Sequence, residues 1–290
     1  MTYIDEHAPD FAEQLASIHD IRPQHCNTYL LIDGVFDPRW FAYLKGQTGL
    51  AWRALLASIP GASEESLQVS PLLVHYVLGD REVESLLRAS SGKPMLSMLT
   101  TPEDVELFSA RLAPWCIVEA DGQHFNFRFA DTRRLPGIVA VLDARQHGQF
   151  LGPACTAHYV NRQGHWEVLP LPPQPEPPAE RVKLKDEQFA ALVADSEADE
   201  MLATLAYPPL LADEPLMPSQ RHDRARLALL QAKRYSEENA SERLALCRLT
   251  LEFPQWESDA ACVEHALKSG TEDTDRWEHI AQQLRERIAA

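Results

Sequence analysis

The chain has 290 residues, 45% of them apolar, with 27 Lys and Arg against 43 Asp and Glu and a net charge of −16. The acid excess is even, with 13 basic and 20 acidic residues up to Pro170 and 14 and 23 beyond it. Neither half can neutralise phosphates, which argues against nucleic acid and anionic membrane as partners and favours a basic protein surface.

No apolar run approaches the roughly 20 residues that span a bilayer. The start, MTYIDEHAPDF, lacks a basic segment followed by an apolar one, so no secretory signal is expected and the cytoplasm is the expected location. Cys26, Cys116, Cys155, Cys247 and Cys262 are odd in number and scattered, as free thiols would be.

Residues 11, 15 and 18 share a helical face. Tyr29 to Ile32 is a short apolar run stopped by Asp33-Gly34, which suits a strand buried on both faces. Asp37-Pro38 predicts a helix start, with Trp40, Phe41 and Leu44 following. Leu50 to Ile59 reads as another helix, Ser70 to Leu78 as a strand, and Arg81 to Ala89 as a short helix. Met95 to Leu99 is a third apolar run. Thr101-Pro102 predicts a capped helix with Val105, Leu107, Phe108 and Leu112 inward.

Asp121-Gly122 is a tight-turn signal, and Phe125, Phe127 and Phe129 then alternate with polar residues. That pattern predicts a β-hairpin with one aromatic face and Arg128 opposite it. A helix over 135–144, a turn at Phe150-Leu-Gly-Pro153 and a hairpin around Gln163-Gly164 follow. The expected fold class is thus an α/β N-terminal lobe, a mixed sheet with flanking helices, over 1–170. Six prolines between Pro170 and Pro178 predict an extended linker over 171–182. An all-α C-terminal lobe of four or five helices over 183–290 completes the chain, with Pro208-Pro209 and Pro215 as breaks, Leu227, Ala228 and Leu230 inward, Ser241 as a cap and a last helix from Asp273.

Neither GxGxxG nor GxxxxGK[ST] nor GxSxG nor HExxH occurs, and no cofactor is expected. His25-Cys26 reads as a lead-in to a strand rather than a thiol nucleophile with its base. The hairpin exit concentrates charge, with Arg128, Asp131, Arg133 and Arg134 within seven residues. Two readings stand: an anion or acid site, or a salt-bridged corner in which Asp131 caps the next helix. Phe36, Trp40 and Phe41 can all be core, and an aromatic left exposed among them would mark a protein interface.

The segments YLLIDG near residue 30, SPLLV near 70, Ala110-Arg111-Leu112, Phe127-Arg-Phe-Ala-Asp131-Thr-Arg133 and FLGP near 150 stand in one order. In that order the chain resembles the adaptor-chaperones of type VI secretion systems, the domain of unknown function 4123 family. The Tyr and Pro of that family's FRFYDPR segment are missing, which weakens a catalytic role for it. The resemblance implies a cytoplasmic bacterial protein that is not an enzyme. Such a protein binds a secreted toxin effector and loads it onto a spike protein, its variable tail adapting to the effector or to a co-chaperone; a cleft between the lobes across the Pro-rich linker is the expected place of docking. Arg128, Asp131, Arg133, Arg134, Trp40 and Phe41 are its expected partner-binding residues. The alternatives are a hydrolase using Asp131, His124 or Cys26, and a structural scaffold subunit.

Overall fold

The computed structural model describes residues 3–205, 216–269 and 275–289. The chain forms two compact units, Thr2–Asp195 and Ser196–Ala290. The first is built on a six-stranded sheet in the order β2-β3-β1-β4-β7-β8: β1 Asn27–Asp33, β2 Trp52–Ala54, β3 Pro71–His75, β4 Leu96–Thr101, β7 Thr156–Val160 and β8 Trp166–Val168. Its named strand pairs are antiparallel. β5 Ile117–Ala120 and β6 Gln123–Asn126 form a separate ribbon.

β1 explains the layering. Successive strand residues face opposite sides, so an unbroken apolar run needs cover on both. Tyr29 and Leu31 enter one core with Phe108, Trp115, Phe129 and Phe150. Leu30 and Ile32 enter the other with Trp40, Phe41, Leu72 and Met98. Helices α5 Val105–Leu112, α6 Leu135–Val141 and α7 Ala144–Leu151 supply the first core; α1 Phe11–Asp20, α2 Arg39–Lys45 and α4 Arg81–Ala89 supply the second. The short α3 spans Glu64–Gln68.

Four expectations are corrected locally. The helix expected over 50–59 is β2 followed by a 3-10 turn, Leu55–Ser58, because Trp52 pairs with Val74 at the sheet edge and Ser70 Oγ accepts the Leu56 N–H. Thr101 ends β4 instead of capping α5; Asp104 caps it by accepting the Leu107 N–H at 2.8 Å. Leu107 consequently faces outward, 58% exposed. The helix expected over 135–144 ends at Val141, because Asp143 and Gln146 form a capping box that starts α7.

The Pro-rich stretch lies against the first unit. Ala179, Val182 and Leu184 are buried in its core. The Pro170 carbonyl bonds His147 Nε2, and the Glu176 carbonyl accepts from Arg111 Nη1 at 2.7 Å. Arg111, buried on α5, holds the Glu103 carboxylate through Nε and Nη2 and the Gln149 carbonyl through Nη1. One guanidinium thus ties α5, α7 and the Pro-rich stretch. Gly152, at φ 55°, leaves room for it: a Cβ there would stand 2.3 Å from Arg111 Cζ. The division between the units falls beyond this stretch, within α8 Asp186–Thr204.

The second unit contains α9 Pro218–Arg234, α10 Ala240–Glu252, α11 Ala260–Ser269 and α12 Arg276–Ala289. Tyr235, Trp256 and Trp277 meet at centroid distances of 5.4 to 5.7 Å. Beside them Arg276 Nη2 donates to Glu237 Oε2 at 2.7 Å, with both side chains nearly inaccessible. α9 turns small residues inward (Ala225, Ala228, Ala232), which admits α10 closely, and so Leu227 and Leu230 are outside rather than in the core. α10 is capped by Asn239, which accepts the Ser241 and Glu242 N–H groups, not by Ser241. Pro208, Pro209, Pro215 and Asp273 lie outside the described residues.

Three outcomes follow from these contacts. Gly152→Ala combines a left-handed φ with a collision and should destabilise the first unit by about 2 kcal/mol or more, read from its urea midpoint. Arg276→Met strips Glu237 of its cation inside the second core and should cost about 3–5 kcal/mol. His7, His19, His75, His147 and His158 are all held below the usual His range, chiefly by burial, His7 at about 4. The unfolded chain then binds protons below about pH 6.5 that the folded rings refuse, so stability should fall as pH drops from about 7 to about 5. An unfolding midpoint that holds or rises over that range would contradict the burial of these rings.

Candidate functional site

The aromatic hairpin forms as its turn dictates. Asp121 and Gly122 both take positive φ, 47° and 69°, the geometry that matches strand twist in a two-residue hairpin. Glu119 faces His124 and Ile117 faces Asn126. The strand expected through Phe129 stops at Asn126, because the Phe129 N–H turns back to the Phe127 carbonyl. The three phenylalanines still serve one core: Phe127 and Phe129 lie near Trp115 and Phe150, and Phe125 packs on Phe189 at 4.7 Å.

The charged exit is a closed corner. Arg133 approaches both oxygens of the Asp131 carboxylate, Nε at 3.0 Å and Nη2 at 2.7 Å, and its N–H adds a third bond at 3.1 Å. Arg128 Nη2 lies 2.7 Å from Asp33 Oδ2, at the end of β1, and 3.6 Å from Asp131 Oδ2. The Phe36 ring faces both guanidiniums, at 5.1 and 5.5 Å. The Asp131 carbonyl takes the N–H groups of Arg134 and Leu135, which turns the chain into α6; its side chain does not cap that helix, contrary to expectation. Burial pushes the Asp33 carboxyl up while Arg128 pulls it down. Asp37 nearby is held well below the carboxylate range by hydrogen bonds from Arg39 and Lys93, despite its burial. Of the two sequence readings, this geometry matches the salt-bridged corner.

The other candidates lie elsewhere. Trp40 and Phe41, expected to touch a partner, are corrected to core residues at 0% and 6% exposure, because α2 turns them beneath the sheet. Asp131, 1% exposed, is likewise closed to a partner by its own arginines. Arg128 keeps 37% of its side chain exposed, and Arg134 is the N-cap residue of α6. His25 is exposed while Cys26 is buried against Cys155, and burial pushes the Cys26 thiol up to about 11, which leaves it protonated at neutral pH. Asp131, His124 and Cys26 therefore sit in three different surroundings. No group of three His, Cys, Asp or Glu residues able to hold a metal occurs among the described residues.

A feature that sequence reasoning missed lies beside the hairpin. A groove of about 840 Å³ runs between Pro60, Ala113, Ile117, His124, Arg181 and Lys183. A second hollow of about 340 Å³ shares Ile59, Pro60, Ile117 and His124 with it and extends along Phe125 and Asn126. One wall of the larger groove is built by the backbone: Glu119 N–H donates to the Val182 carbonyl and Leu184 N–H donates to that of Glu119, both at 2.9 Å. Lys183 Nζ lies 2.9 Å from Glu119 Oε1. The groove thus offers apolar contact from Ile59, Pro60 and a 40% exposed Ile117, flanked by charges of both signs. Its one sequence signal is Ile117 itself, an isoleucine on the face of β5 opposite the buried Val118 and Ala120.

Residues 28–149 match the model of a family described as Domain of unknown function (DUF4123). No curated protein and no solved structure matches the chain. The matched stretch opens at the second residue of β1 and closes within α7, so it holds Asp33, Arg111, Arg128, Asp131 and Arg133, the residues that lock the lobe. Over residues 28–149 the α/β lobe of this chain is accordingly similar to that family.

Proposed function

We propose that the chain is a non-enzymatic cytoplasmic adaptor that binds a secreted toxin effector of a type VI secretion system and helps load it onto the spike protein. The observation that carries this reading is the family match over residues 28–149, over which the YLLIDG, SPLLV, FRFADTR and neighbouring segments keep the order of such adaptors. The docking surface in this reading is the groove beside the hairpin. Its exposed Ile117 and neighbouring Pro60 offer desolvation, and Glu119, Arg181 and Lys183 at its wall offer oriented polar contacts to a peptide segment. The corner of Arg128, Asp131 and Arg133 braces that hairpin from behind. The net charge of −16 agrees with a protein partner rather than nucleic acid.

Co-purification of the tagged chain with the products of neighbouring genes tests the reading. Recovery of a toxin and a spike protein is expected; turnover of a small substrate with no protein partner would overturn it. Groove and corner separate by mutation. Ile117→Arg with His124→Glu should lower effector capture about tenfold or more at an unchanged melting temperature. Arg133→Met leaves Asp131 buried without its principal cation and should cost about 3 kcal/mol of stability. Loss of capture by Arg133→Met at full stability, with the groove variant silent, would move the docking surface to the corner.

A further inference from the structure

Cys26 and Cys155 stand 129 residues apart in sequence, yet their Sγ atoms lie 3.1 Å apart. The sheet brings this about. β1 and β7 flank β4 on opposite sides, so paired residues within the sheet are two strand spacings apart, roughly 9.6 Å, too far for a bridge. β4 ends at Thr101, opposite Asn27. Cys26 precedes Asn27, and Cys155 precedes Thr156, the partner of Thr100. The two cysteines therefore meet at the end of β4. Their backbones are anchored there: the Cys155 N–H donates to the Thr100 carbonyl at 2.7 Å and the Cys26 N–H to that of Pro23 at 3.0 Å. Cys155 is half-buried and Cys26 buried, whereas Cys116, Cys247 and Cys262 are all buried.

We propose that Cys26 and Cys155 are a reversible disulfide site that staples β1 to β7 when the chain meets a small-molecule disulfide such as oxidised glutathione. Cys155, the more accessible thiol, loses its proton to solvent and attacks one sulfur of the reagent. A protein–reagent disulfide forms as the reagent's S–S bond breaks, and one reagent thiolate leaves and takes up a proton. The Cys26 thiol then gives up its proton and attacks Cys155 Sγ. The protein disulfide forms and the second reagent thiol departs. Two protein thiols are oxidised and one reagent disulfide is reduced to two thiols. Burial holds the Cys26 thiol protonated, which makes Cys155 the entry point and closure the slower step. The bridge closes a loop that contains the whole stretch matched over residues 28–149, so it constrains the unfolded chain strongly.

The test is to incubate the full chain with oxidised glutathione, alkylate the remaining thiols under denaturing conditions and map the peptides without reduction. A Cys26–Cys155 peptide pair is expected, with the other three cysteines alkylated. The melting temperature should rise by about 5 °C and return on reduction. Cys26→Ser should stop at a glutathione adduct on Cys155 with no such rise. Recovery of both cysteines in alkylated form, or a bridge to another cysteine, would overturn the assignment, and the wild-type map decides this whether or not the serine variant folds.

Discussion

A buried carboxylate is costly unless a positive charge meets it in place, and the first unit buries two at one corner. Asp33 ends β1 and Asp131 precedes α6; Arg128 reaches both and Arg133 clamps the second. Each arginine is presented by the hairpin exit, so the hairpin cannot shift without exposing an unpaired acid. Phe36 faces both guanidiniums and limits the water that could replace these contacts. The end of the central strand, the aromatic ribbon and the start of a helix are thereby one rigid junction. The raised Asp33 carboxyl shows that Arg128 only partly offsets the cost of burial there.

Arg111 repeats the device on the other side of the same core. Its guanidinium satisfies Glu103 and the carbonyls of Gln149 and Glu176, backbone groups of a helix and of a proline-rich stretch that cannot pair in a sheet. Proline fixes φ and removes donors, so such a stretch needs outside partners if it is to lie on a fold rather than in water. Arg111, His147 and the β5 backbone supply them. The same contacts place residues 180–183 along the hairpin, and this is what makes a groove where the sequence suggested only a linker.

Much of the architecture was legible because it rests on local chemistry. The Asp121-Gly122 turn, the doubly buried β1, the hairpin around Gly164 and the helical tail all follow from turn residues and apolar period. The errors share a different cause, in that distant partners decided them. Trp52 is a strand residue because Val74 is beside it, and Thr101 stays in β4 because Asn27 pairs with it. Leu227 and Leu230 face out because the alanines of α9 are the better contact with α10. Trp40 and Phe41 looked like candidates for an interface, but a second core beneath the sheet, invisible in one strand's pattern, claims them. At the candidate site, the charged cluster was visible and its pairing was not, since Asp33 lies 95 residues before Arg128.

The segments that carry the family resemblance therefore mark a frame. Asp33, Arg111, Arg128, Asp131 and Gly152 each act on the fold itself, through a buried ion pair or a forced backbone approach. A motif of this kind identifies a lobe while leaving its partner to surfaces that the motif does not name. The missing Tyr and Pro of the signature fit that division, because the pairing of Asp131 with Arg133 needs neither side chain. In the adaptor reading proposed above, specificity would reside where packing imposes nothing, as at the exposed Ile117 and the charges along residues 180–183. A substitution there leaves every buried partner satisfied, whereas one in the motif leaves a charge stranded; on the proposed function, stability and recognition would be carried by different residues of the same lobe.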